Sequence, residues 1–231
     1  IFHYLPGGPP TLDYMRYSTY DINDGRQSFG IQYTFSFIQE GMNGENYSTD
    51  NIEHRAKGQM TGMLGLLKFA YNHKDEIKSL VKTEREKLAA NKVSEKVAIQ
   101  LDHFSDGKEL KLNLLSYYSG KDTTVTVNDF RSVVKSLYDV KRPKGYLIPK
   151  SFPELIKWME RHNLKFVEAE PNRCDRIEQY FIDSIGTFDF ERDTINIPYV
   201  SINDVTEKIN LSDYYFLPVA QLKNNMIVIA L

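Results

Sequence analysis

The chain has 231 residues, 41% of them hydrophobic and 26% charged, with 29 Lys and Arg against 31 Asp and Glu for a net charge of −2. Such usage belongs to a chain that buries a core, and without a basic excess a surface that tracks nucleic-acid phosphates is not expected. No apolar run approaches the ~20 residues that cross a bilayer as a helix, and the single Cys174 excludes an internal disulfide and a cysteine-based zinc cluster.

The length suits one large domain or two small ones. The sequence opens at Ile1 on a Pro/Gly-rich stretch (Pro6 to Pro10) and closes on the apolar run Ile227-Val228-Ile229-Ala230-Leu231, which reads as a portion of a larger protein. Residues 1–29 are loop-like, dense in Tyr (Tyr4, Tyr14, Tyr17, Tyr20) and in turn residues such as Asn23-Asp24-Gly25. Gly30 to Gln39 is expected as a strand, because Ile31, Tyr33, Phe35 and Phe37 alternate onto one face. Asp50-Asn51-Ile52-Glu53 then has the spacing of a capping box and opens a helix. Its apolar positions Ile52, Ala56, Met60, Met63, Leu64, Leu67, Ala70 and Tyr71 recur at helical spacing, while Gly58, Gly62 and Gly65 point to close packing on one side.

His73 to Ala90 reads as a second, highly charged helix and marks the expected domain boundary. Beyond it, strands are expected at Val97–Phe104, Leu110–Tyr118 and Thr123–Val127, separated by turn signals, and then at Gly145–Pro149. Ser151–His162 is a short amphipathic helix with Pro153 in its first turn. Strands at Lys165–Ala169, Ile177–Ser184, Thr194–Val200 and Tyr214–Val219 complete a β-rich second half.

Chemistry concentrates at few positions. Glu40 ends the expected strand and is followed by Gly41, where the chain can turn away. A carboxylate at a strand end that faces a cleft is desolvated and suited to general-base work. His73 and Glu76 have the HxxE spacing of a zinc pair, but they sit in a run of charges without a third ligand, which reads as a solvated helix face. His3, His54, His103 and His162 are scattered and read as surface or packing residues. Tyr14, Tyr17 and Tyr20 with Arg16 place phenols and a guanidinium on one loop, a combination that can clamp a substrate carboxylate.

The run Gly30-Ile31-Gln32-Tyr33-Thr34-Phe35-Ser36-Phe37, followed by an acid and a Gly-containing loop, resembles a strand of the zinc metallocarboxypeptidases of the carboxypeptidase A type. In that family the strand carries the general-base glutamate, and a tyrosine on an upstream loop folds over the substrate. The resemblance implies Glu40 as the base, Tyr17 (or Tyr20) as the loop tyrosine and Arg16 as a further substrate contact. In the best-known members the acid directly follows the second Phe, where this chain has Ile38. Glu40 comes two residues later, on the same face but ~7 Å further along, as in some remoter relatives. The family's metal is held by an HxxE pair and a later His that precede the base. Here only His3 precedes Glu40, so the resemblance implies zinc in the intact protein on ligands outside this chain.

The fold class expected is thus α/β: residues 1–92 as the C-terminal part of a mixed-sheet carboxypeptidase-like domain, and 93–231 as a β-rich α+β accessory domain. The implied activity is hydrolysis of C-terminal peptide bonds by metal-activated water, on a peptide or protein C-terminus, in an extracytoplasmic (periplasmic or secreted) protein. The rival reading is a non-catalytic module, binding glycan or protein, attached to a degenerate peptidase domain. An intracellular adaptor unrelated to peptidases is a third.

Overall fold

The computed structural model describes residues 12–18, 22, 24–41, 47, 49–116, 118–170, 176–190, 193–205 and 209–231. The fold is mixed α/β, with about 32% helix and 34% strand, and its strands form small sheets of two or three. Two compact units divide the chain: residues 1–143 with 219–231, and residues 144–218.

The first unit contains β1 (Met15–Arg16), α1 (Gly25–Gly30), α2 (Ile52–Asn72), α3 (Lys74–Ala89), β2 (Lys96–Phe104), β3 (Leu110–Leu115), β4 (Asp122–Val127), β5 (Phe130–Arg131) and β6 (Val133–Lys141). The second contains β7 (Gly145–Pro149), α4 (Pro153–Arg161), β8 (Val167–Glu168), β9 (Glu178–Phe190), β10 (Asp193–Asp204) and β11 (Tyr214–Pro218). Helix α5 (Asn224–Ala230) returns to the first unit. The charged helix α3 therefore lies inside a unit, with the division falling at 143/144 and 218/219.

In the first unit, β2 pairs antiparallel with β6, β3 with β4, and β1 parallel with β5. Met15, Val127 and Phe130 form a small buried cluster, with Tyr17, Leu110 and Leu112 packed on it. A second buried group involves α5, which packs against β2. Leu88, the sole buried residue of α3, and Ile227 of α5 are fully enclosed. Between these helices lies Asn224, also fully buried, whose Nδ2 donates to the Leu88 carbonyl (3.2 Å) and to Asn91 Oδ1 (2.8 Å). Asn91 holds a left-handed φ of 54°, a conformation that Asn adopts more easily than most residues. Here the apolar C-terminal run has become a helix anchored by a buried amide.

In the second unit, β11 is the centre of a three-stranded sheet, antiparallel to both β7 and β8. Gly145 fits only because it lacks a side chain, since a Cβ there would lie 2.5 Å from the Phe216 ring and 2.6 Å from the Leu217 carbonyl. Helix α4 turns Met159 inward, and Met159, Leu164, Ile148 and Leu217 are the buried apolar residues of this unit. Strands β9 and β10 form a separate antiparallel ribbon with a bulge at Tyr199/Val200. Arg176 bridges to Asp204 at 2.6 Å at the open end of that ribbon.

Several expectations are corrected. The strand over Gly30–Gln39 does not form: Asp24 caps α1 by accepting from the Arg26 amide (2.7 Å), and residues 34–41 are irregular. Tyr33 sits at φ 51°, which interrupts an extended run. Alternation specifies a strand only where another strand offers a hydrogen-bonding edge, and among the described residues this segment has no such partner. Phe35 and Phe37 instead stack on each other at 6.3 Å and remain exposed. The Asp50 capping box is also not made. The N-cap is Asn51 at φ 52° without a side-chain cap bond, while Asp50 Oδ2 accepts from the Tyr47 amide at 2.9 Å. Strand β6 fills the 133–141 stretch, where no strand was expected, because it gives β2 its ladder partner.

Candidate functional site

Glu40 is exposed and outside any strand, not desolvated at a strand end as expected, because the strand over 30–39 finds no partner among the described residues; it makes no hydrogen bond or ion pair with any of them. Its two neighbours, however, contact α2. Gln39 Nε2 donates to the Gln59 carbonyl of α2 at 2.8 Å. The Gln39 amide also lies where a Cβ on Gly62 would stand, at 2.5 Å. On the other side, the Gln59 side chain occupies the space that a Cβ on Gly41 would need. Two glycines, one on the loop and one on the helix, thus let residues 39–41 close onto α2. The close packing expected from the helix glycines is found at Gly62, whereas Gly58 and Gly65 face open space. The outcome is an exposed carboxylate without a partner among the described residues, flanked by two contacts to α2.

The other candidates lie around β1. Arg16 Nη1 donates to the Tyr17 carbonyl at 2.9 Å, and Tyr17 packs edge-on against Phe130 with ring centres 5.6 Å apart. Arg16 and Tyr17 are thus brought together, but Glu40 is not bonded to either of them. Tyr20 lies outside the described residues, as do His3 and Cys174.

The sequence reading missed two residues here. Arg131 stacks 3.8 Å from the Tyr14 ring and is gripped by Asp129 Oδ2 through Nε (3.1 Å) and Nη2 (2.9 Å). With Leu12, Asp13 and Asn128 they line a notch of about 280 Å³. The only local signal was the Asn128-Asp129 turn between two short strands, which is too common to single out. Because Asp129 neutralises Arg131 and the guanidinium covers the Tyr14 face, the notch offers no free charge for a substrate carboxylate.

His73 Nδ1 lies 3.2 Å from Glu76 Oε2 on an exposed helix junction, the solvated arrangement expected for this pair. Among the described residues no group of three His, Cys, Asp or Glu side chains could hold a metal ion. His162 stacks on Trp158 at 5.1 Å, and His54 is exposed. His103 is 4% exposed. Burial, with a smaller push from Arg16, lowers its pKa below the usual histidine value against the opposing pull of Asp102. No described helix is long and apolar enough to cross a membrane. No family model, curated protein or solved structure matches this chain.

Proposed function

We propose that this chain is part of a zinc carboxypeptidase of the carboxypeptidase A type, with Glu40 as its general base. The observation carrying the reading is an exposed carboxylate without a hydrogen-bond or ion-pair partner among the described residues, between Gln39, whose side chain donates to the Gln59 carbonyl of α2, and Gly41, which lies against the Gln59 side chain. A general base needs a carboxylate that is not already spent on a salt bridge. The sequence of the segment that precedes it resembles the family strand, although the segment forms no strand here.

In this role Glu40 takes a proton from the attacking water at ~3 Å and passes it to the leaving amine of the C-terminal peptide bond. Arg16 and Tyr17 hold the substrate, with Tyr20 as the other candidate tyrosine. Tyr17 must first leave the Phe130 edge, a contact worth about 1 kcal/mol. The metal would be held by residues outside the described set, and its chemistry when bound is polarisation of the scissile carbonyl and of water. The setting proposed is extracytoplasmic, with peptide or protein C-termini as substrates.

The test is release of C-terminal residues from peptides by the whole gene product. Glu40→Gln should lower turnover by about 10²–10⁴ with substrate binding retained. Undiminished turnover refutes the assignment. One observation favours the rival reading of residues 93–231 as a binding module for glycan or protein. The β9–β10 ribbon leaves Ile182, Ile185 and Tyr199 58–66% exposed, and exposed apolar side chains that gather into a patch mark interaction surfaces.

A further inference from the structure

Among the described residues β9 and β10 pair only with each other, and a lone two-stranded ribbon is marginal in water unless one of its faces is covered. The pairing register shows which face that is. Across the bulge at Tyr199/Val200 the partner in β9 jumps from Ser184 to Ile182, leaving Asp183 as an extra residue. In an unbroken strand Ile182 and Ile185, three positions apart, would lie on opposite faces. The bulge turns one of them over. Three rungs, Ile185 with Pro198, Ile182 with Val200 and Tyr180 with Ile202, therefore stand on a single face. All six side chains are exposed, Ile182 by 65% and Ile185 by 66%.

The opposite face is occupied differently. Ser201, between Val200 and Ile202, donates its hydroxyl there to Asp183 Oδ1 at 3.0 Å. On that same side the Tyr199 ring lies over Gly186, so close that a Cβ on the glycine would stand 2.8 Å from it. Below the apolar ladder the next rung is Glu178 with Asp204, and Arg176 bridges both acids, at 3.1 Å and 2.6 Å. The ladder itself carries no charge.

We infer that this ladder is the contact between two copies of the chain, laid face to face about a two-fold axis near the Ile182–Val200 rung. Six half-open side chains of this size expose about 500 Å² on one copy, so the pair covers about 1,000 Å², the lower limit for a specific dimer. A two-fold axis sets each patch on itself. Here that brings Ile, Val, Tyr and Pro together with no like charges opposed, across the ~10 Å that separates stacked sheets. From Glu178 to Asp204 the acids outnumber the single Arg192, which disfavours an anionic lipid surface or a nucleic acid as the occupant. The inference does not depend on the role of Glu40.

The experiment is sedimentation equilibrium of the 231-residue chain. A contact of this size is a weak one, so a monomer–dimer equilibrium with a Kd of about 10–100 µM is expected. Ile182→Glu puts a carboxylate in the middle of the ladder and should raise the Kd at least ~100-fold. Asn203→Glu, on the other face, should shift it less than ~3-fold. Trp158 fluorescence, from the same unit, checks that each variant keeps its fold. A second measurement does not rely on a disruptive change: in a Cys174→Ser background, Val200→Cys should crosslink to its own counterpart through a short bismaleimide, and Asn203→Cys should not. A monomer at every concentration overturns the inference, and one that binds phosphatidylcholine vesicles gives the ladder to a lipid surface instead. A dimer that Ile182→Glu leaves intact, or crosslinking through Asn203→Cys as fast as through Val200→Cys, puts the contact on another face and overturns it as well.

Discussion

Replacing Asn224 by Ala removes the buried amide that ties α5 to the end of α3. Its Nδ2 makes two hydrogen bonds, to the Leu88 carbonyl at 3.2 Å and to Asn91 Oδ1 at 2.8 Å. Each is worth about 1 kcal/mol net. The Leu88 carbonyl keeps the Ala90 and Asn91 amides as donors after the change, so it is not stranded. Asn91 Oδ1 loses a donor near the surface, where water can replace it. Against these losses, Asn224 Oδ1 is itself buried without a hydrogen-bond partner among the described residues, and removing it relieves a penalty of about 1 kcal/mol. Adding a small volume loss, the balance is a destabilisation of about 1–2 kcal/mol. The assay is amide hydrogen exchange at Ala90, Asn91, Ile227 and Leu231. Exchange there should quicken about 5–30-fold while amides of the 144–218 unit keep their rates. Pairing the change with Asn91→Gly, which preserves the left-handed backbone, should cost less than the sum of the two changes. Unchanged exchange, or strict additivity of the pair, would refute the account of Asn224 as a tie.

Gly145→Ala should destabilise the 144–218 unit by about 1–3 kcal/mol, since its Cβ meets both the Phe216 ring and the Leu217 carbonyl. The only tryptophan, Trp158, lies in that unit and reports the loss by fluorescence during urea unfolding. His103 titrates below its unfolded value because it is buried. The unfolded chain therefore binds more protons, so the neutral side chain's contribution to stability is complete above about pH 6.5. It is lost as the pH falls from there through the folded-state value. His103→Gln should flatten the stability profile between pH 7.5 and 5, as measured by denaturation across that range. A slope unchanged by the substitution would mean that another group sets it.

Much of the local structure was written in the residue pattern, because it depends on neighbours in sequence. Alternation and turn residues placed β2, β4, β7 and β11 within a residue or two, and apolar spacing placed α2 and α4. The candidate site was legible only as residue types: an acid before a glycine, and aromatic and basic groups on one loop. What the pattern could not supply was the partner. The 30–39 segment has the alternation of a strand, yet it finds no edge to pair with and yields to the Asp24 cap and the turn at Tyr33. Strand β6 exists because β2 gives it a ladder, and the closing apolar run becomes a helix because Asn224 and Leu88 meet across 136 positions in sequence. Local propensity is set by steric limits and the spacing of apolar groups within one turn or pleat. Pairing and burial are set by surfaces far away in the chain, and so the exposure of the apolar side of α2 and the contacts beside Glu40 emerged only with the tertiary structure.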